Sequence, residues 1–124
     1  MILEMVRLIE RILVEGRGDE VNWTTYDHQA LTEAERNPPD IIIIEVTLSE
    51  LDVFQVYQQF RAIPVLQEIP VLFWRVPNTR YMYPKAQALG VAGCMEFMRS
   101  YNRDELLKAR DVIAEGKSYY LPLG

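Results

Sequence analysis

Four consecutive isoleucines, Ile41 to Ile44, run into Glu45 and Val46. This stretch constrains the fold more than any other. Five of its six residues are β-branched, which stiffens the side chain and suits a pleated strand. Apolar and polar residues do not alternate, so the strand is expected to be covered on both faces. That is the signature of a parallel sheet flanked by helices rather than an antiparallel sheet with one wet side. The run is also far too short to cross a bilayer.

The rest of the chain supplies the flanking helices. Met5, Leu8, Ile9, Ile12 and Leu13 fall on one helical stripe that Gly16 or Gly18 would end. Glu20 to Thr25 is rich in β-formers and predicts a short strand. Asp27 can cap a helix from His28 to Arg36, stopped before Pro38-Pro39. Val53, Val56, Tyr57 and Phe60 mark a third helix. Ile69 to Trp74 predicts a second apolar strand, with Pro70 near its start where a missing N–H is tolerated. Arg80 to Leu89 reads as a helix and Ala92 to Phe97 as a strand. Leu106, Ala109, Val112 and Ile113 carry a last helix that begins near Asn102–Asp104 and ends at Gly116. Four strands alternating with five helices predict a doubly wound parallel α/β domain.

Composition narrows the function classes. The 124 residues suit a single domain, 1–124, with 49% hydrophobic and 25% charged residues. A net charge of -5 argues against non-specific binding to nucleic acid or anionic lipid. One cysteine, Cys94, allows no internal disulfide and no cysteine-rich zinc site. The opening Met1-Ile2-Leu3-Glu4 has neither the basic region nor the cleavage site of a secretory signal, so a cytoplasmic protein is expected.

From Glu20 onward the chain resembles the receiver domain of two-component response regulators. Pro39-Asp40-Ile41-Ile42-Ile43-Ile44-Glu45-Val46 is similar to the strand that ends in the phospho-accepting aspartate. Leu51-Asp52-Val53-Phe54 resembles the entry to the following helix, and Glu68-Ile69-Pro70-Val71-Leu72-Phe73 the next strand. Leu89-Gly90-Val91-Ala92-Gly93-Cys94-Met95 is similar to a stretch of the NarL-type subgroup. Asp104-Glu105-Leu106-Leu107 through Ala114-Glu115-Gly116-Lys117-Ser118-Tyr119-Tyr120-Leu121-Pro122 resembles that subgroup's last helix and its exit toward a DNA-binding domain. The resemblance implies a flavodoxin/CheY-like fold.

The departures fall on the family's functional positions. Glu45 stands at the phosphoacceptor position. Arg75 matches the Ser/Thr of the switch, Phe97 the lysine, Met98 the proline after it, and Cys94 the switch aromatic. The acidic pair that holds Mg²⁺ after the family's first strand has no obvious counterpart, nor has that strand. Glutamate is one methylene longer than aspartate, and a displacement of about an ångström spoils in-line phosphoryl transfer. With the acidic pair gone, no metal, no cofactor and no enzymatic activity are expected. An active phosphoacceptor at Glu45 is the poorer reading.

Two readings of Glu45 and Arg75 stay open at this stage. A carboxylate–guanidinium pair would replace a transient phosphate contact with a permanent one. Alternatively, both are solvated ends of strands. Phe97 is expected to fill space as packing, Cys94 to be a small buried apolar residue, and His28 to be a solvated helix position. Glu4 is read as a charge favourable to the helix dipole. Trp74, Tyr81, Tyr83, Met95, Met98 and Tyr101 are of the types enriched at interface cores and are read as a partner-binding face.

The missing first strand leaves three arrangements: direct pairing of Glu20–Thr25 with Ile41–Val46, an element supplied by another chain, or a longer natural chain. The functional expectation is a phosphorylation-independent signalling module. Its partner would be a protein, either another signalling component or a second copy in a homodimer. Membrane and direct nucleic-acid binding are not expected. The alternative is the regulatory domain of a transcription regulator whose DNA-binding domain lies outside this chain.

Overall fold

A computed structural model describes residues 2–22, 28–46, 53–96 and 102–121. Its elements are α1 (Ile2–Arg17), α2 (His28–Arg36), β1 (Ile42–Glu45), α3 (Val53–Arg61), β2 (Val71–Val76), α4 (Thr79–Leu89), β3 (Gly93–Glu96), α5 (Arg103–Ala114) and β4 (Tyr119–Leu121). A short 3-10 turn, Pro64–Leu66, leads toward β2. All four strands are parallel and lie in the order β1-β2-β3-β4.

Alternation along the strands divides the core in two. Ile42, Val71, Phe73, Cys94 and Tyr120 point to the face covered by α3 and α4, with Leu31 and Ala34 of α2 packed alongside. Leu72, Trp74, Met95 and Tyr119 point to the face covered by α1 and α5. Helices on both faces make this the doubly wound, flavodoxin-like α/β fold that the strand pattern implies. All six side chains of β2 are buried, as a central strand requires.

The stripe of α1 docks on α5 through Ile12 and Leu13. Gly16 permits the approach: a Cβ there would lie 2.8 Å from Cδ2 of Leu107. At the same end, Arg17 bridges to Asp111 and Arg110 to Asp19, stitching the two helices. α5 starts under the cap that its sequence announces, with the Asn102 side chain accepting from Glu105 N at 3.1 Å.

Several boundaries differ from expectation. Glu20–Asn22 are irregular, and the remainder of the strand expected at Glu20–Thr25 lies outside the described residues. Among the described residues β1 pairs only with β2, so the direct pairing of Glu20–Thr25 with β1 lies outside them as well. The second strand starts at Val71 rather than Ile69. Pro70 stays ahead of it and offers its carbonyl to Ile42 N at 3.0 Å. This strand then runs on to Val76 through a bulge.

The largest correction concerns the fourth strand. Tyr119–Leu121, expected as an exit from the last helix, pairs with β3 instead. Two apolar rings carry it into the sheet, one to each core. Its connection is unusual. The β1–α3–β2 and β2–α4–β3 crossovers pass over one face, whereas β3–α5–β4 passes over the other. All three step the same way across the sheet, so the last has the opposite hand to the first two. Parallel crossovers share one hand in about 98% of cases, because strand twist and helix twist pack together only that way.

Candidate functional site

Ligand sites in doubly wound sheets lie outside the carboxyl ends of the strands. Glu45 ends β1 there, paired in register with Trp74. Arg75 follows on β2. Its backbone has φ of 61°, the left-handed region that a side chain on Cβ disfavours. The cause is a bulge. Phe73 pairs with Cys94 and Val76 with Glu96, so three steps on β2 oppose two on β3. The extra residue returns Val76 to the α3/α4 core, whereas unbroken alternation would have put it on the other face. A non-glycine residue held this way costs roughly 1–3 kcal/mol, and such strain concentrates at functional sites.

The bulge directs Arg75 onto Glu45. Arg75 Nη1 donates to Glu45 Oε1 in a direct ion pair, with the side chains 7% and 19% exposed. The guanidinium also lies 5.7 Å from the centroid of the Trp74 ring. Of the two readings of these residues, the paired one describes the geometry. A carboxylate capped by a fixed cation is a poor nucleophile, since the pair must break before the oxygen can attack. It is also a poor ligand for a divalent ion, which would sit against a like charge. Among the described residues no cluster of three or more His, Cys, Asp or Glu side chains is placed to hold a metal.

The other residues singled out in the sequence scatter. Cys94 is wholly buried on β3, and burial pushes its thiol up to about 12. Trp74 and Met95 are buried against α1 and α5 and present no outer surface. Tyr83 is half-buried, edge-on to Tyr120 at 5.5 Å between centroids. Tyr81 is 57% exposed near the start of α4, where Lys85 Nζ reaches its hydroxyl at 3.4 Å. Lys85 Nζ also lies 4.5 Å from the centre of the Phe54 ring. Of the six residues read as one face, Tyr81 is thus the one the structure leaves well exposed among those described. Phe97, Met98 and Tyr101 lie outside the described residues, as do the side chains of Glu4 and His28.

Two arrangements were not anticipated from sequence. One is the strained backbone at Arg75, for which the sequence carries no glycine as a signal. The other is the docking of Tyr119 and Tyr120, whose adjacent aromatics were the available sign of a strand.

No family model matches this chain, and neither the curated proteins nor the solved structures provide a match.

Proposed function

We propose that this chain is a receiver-like signalling module that works without phosphorylation, through protein–protein contact in the cytoplasm. The observation that carries this reading is the buried Glu45–Arg75 pair at the carboxyl end of the sheet. It lies where the resemblance to response-regulator receivers expects a phosphoacceptor and a switch hydroxyl. In such a module the reversible phosphoryl contact is replaced by an internal salt bridge, and the domain holds one conformation. The strained backbone of Arg75 supports the same reading, since the chain tolerates about 1–3 kcal/mol of strain to keep the guanidinium there.

Two further observations are compatible with it. Among the described residues no helix is long and apolar enough to cross a membrane. Tyr81 and Lys85 stand exposed on α4, which starts from the same end of the sheet as Arg75, and together they offer an aromatic–cation patch for a partner.

The test is a phosphodonor assay. The protein is incubated with Mg²⁺ and a small phosphodonor, and its intact mass is recorded. The expected result is no added phosphate and an unchanged amide spectrum. A stoichiometric adduct on Glu45 would overturn the reading and require an active receiver.

A further inference from the structure

The fourth strand is held by its side chains, and a short surface connection joins it to α5. Tyr119 and Tyr120 enter opposite cores, each 6% exposed. The Tyr120 hydroxyl donates to the Val91 carbonyl at 2.5 Å, and Tyr119 N donates to Ala92 O at 2.9 Å. Gly93 makes room: a Cβ there would lie 2.5 Å from the Tyr119 carbonyl oxygen. The edge of β3 is thus shaped to receive this segment.

The connection before it, Glu115 to Ser118, is short and lies at the surface. Gly116 has φ of 84°, and Lys117 and Ser118 are exposed. The first three residues of this hinge bond back to α5: Glu115 N to Asp111 O and Val112 O at 3.2 Å, Gly116 N to Ile113 O at 3.0 Å and Lys117 N to Val112 O at 3.2 Å. Below the hinge is a groove of about 570 Å³, bounded by Ile113, Gly116, Lys117 and Ser118 and by Tyr57 and Arg61 opposite. The hinge therefore bridges a space instead of packing on the core. It also completes the crossover whose hand differs from the other two.

We propose that the β3 edge accepts Tyr119–Leu121 from a second copy of this chain, giving a strand-exchanged dimer. An exchanged strand makes every contact described above, and only the hinge changes conformation. Exchange also removes the crossover of unusual hand, because neighbouring β3 and β4 then belong to different chains. Gly116 lets the connection change conformation at little cost, because glycine adopts either sign of φ. Four residues span at most about 14 Å, so the two domains face each other across their β3 edges.

Paired variants of the full chain test this. Gly93→Val blocks the β3 edge and leaves the strand intact, whereas Tyr120→Ala weakens the strand and leaves the edge intact. Each alone is expected to be monomeric by light scattering. Refolded together, they are expected to form a heterodimer with the native mass of one copy of each. Deleting Lys117 and Ser118 from the otherwise unaltered chain is expected to remove the monomer peak while the circular dichroism is retained. This deletion decides the matter if Gly93→Val does not fold. A folded deletion variant that stays monomeric overturns the proposal. So does a folded Tyr120→Ala that forms no heterodimer with a folded Gly93→Val.

Discussion

Arg17 closes α1 and Asp111 lies on α5, yet their side chains meet in a two-pronged fork. Arg17 Nε donates to Asp111 Oδ1 at 2.8 Å and Nη2 donates to Oδ2 at 2.5 Å. Arg110 makes a second fork with Asp19, at 2.9 and 2.6 Å, and touches Asp111 Oδ1 at 3.1 Å. Two acids and two arginines thus alternate along the seam between the first and last helices. Paired forks of this kind are stronger than single surface contacts because each fixes both partners' orientation.

The seam predicts a pH dependence. The Arg17 guanidinium, hydrogen-bonded to Asp111, holds that carboxyl below its ordinary value of 3.8. A group whose folded value is depressed stabilises the fold above its unfolded value and loses that contribution as pH falls through the folded one. Stability should therefore decline as pH drops below about 4. Asp111→Asn should lower stability at pH 7 and flatten this acid limb, read by urea denaturation across roughly pH 2.5–7. An unchanged acid limb would remove the seam from the account.

Glu45→Gln removes one charge and leaves Arg75 buried beside a neutral amide. Breaking a buried pair costs about 3–5 kcal/mol, and the partial exposure of Glu45 places the expected loss near the low end, about 3 kcal/mol. A double-mutant cycle with Arg75→Gln should return a coupling of roughly 1–3 kcal/mol. Additive losses would mean that the two side chains are near one another without being energetically linked.

Gly93→Ala brings a methyl group against the Tyr119 carbonyl. Backbone cannot yield as a flexible side chain can, so the expected loss is about 1–3 kcal/mol. Amide exchange should localise it, with protection at Tyr119–Leu121 falling more than protection at β1 and β2. A uniform loss across the sheet would contradict local displacement of the fourth strand.

Cys94 should resist thiol reagents at about pH 8. It is fully buried, and its thiol is pushed up to about 12, so almost no thiolate is present. Labelling followed by mass spectrometry should proceed only as fast as the protein unfolds. Rapid modification of the native protein would show a route to Cys94 that the packing does not contain.

Much of the fold follows from periodicity alone. The isoleucine run packs on both faces, although Ile42 alone of the four is buried and Ile41, Ile43 and Ile44 stay half-buried at the edge of the described sheet. The apolar stripes of α1, α3 and α5 join the two cores. Parallel strands between helices, and the apolar character of Cys94, were legible for that reason. The pairing of Glu45 with Arg75 was legible as one of two arrangements, because the sequence sets both near the ends of neighbouring strands, although β2 runs on to Val76.

Tertiary structure decided what depends on contacts distant in sequence. Trp74 and Met95 resemble surface anchors in composition, but strand alternation turns both toward α1 and α5, which cover them. The left-handed backbone of Arg75 arises from a register mismatch between β2 and β3, and register belongs to the pair of strands, not to either one. Tyr119–Leu121 is too short for a detectable period. It becomes a strand because Gly93 leaves room on the neighbouring edge and two cores lie open to its tyrosines. Local sequence sets which faces must be buried, and only packing determines against what they are buried.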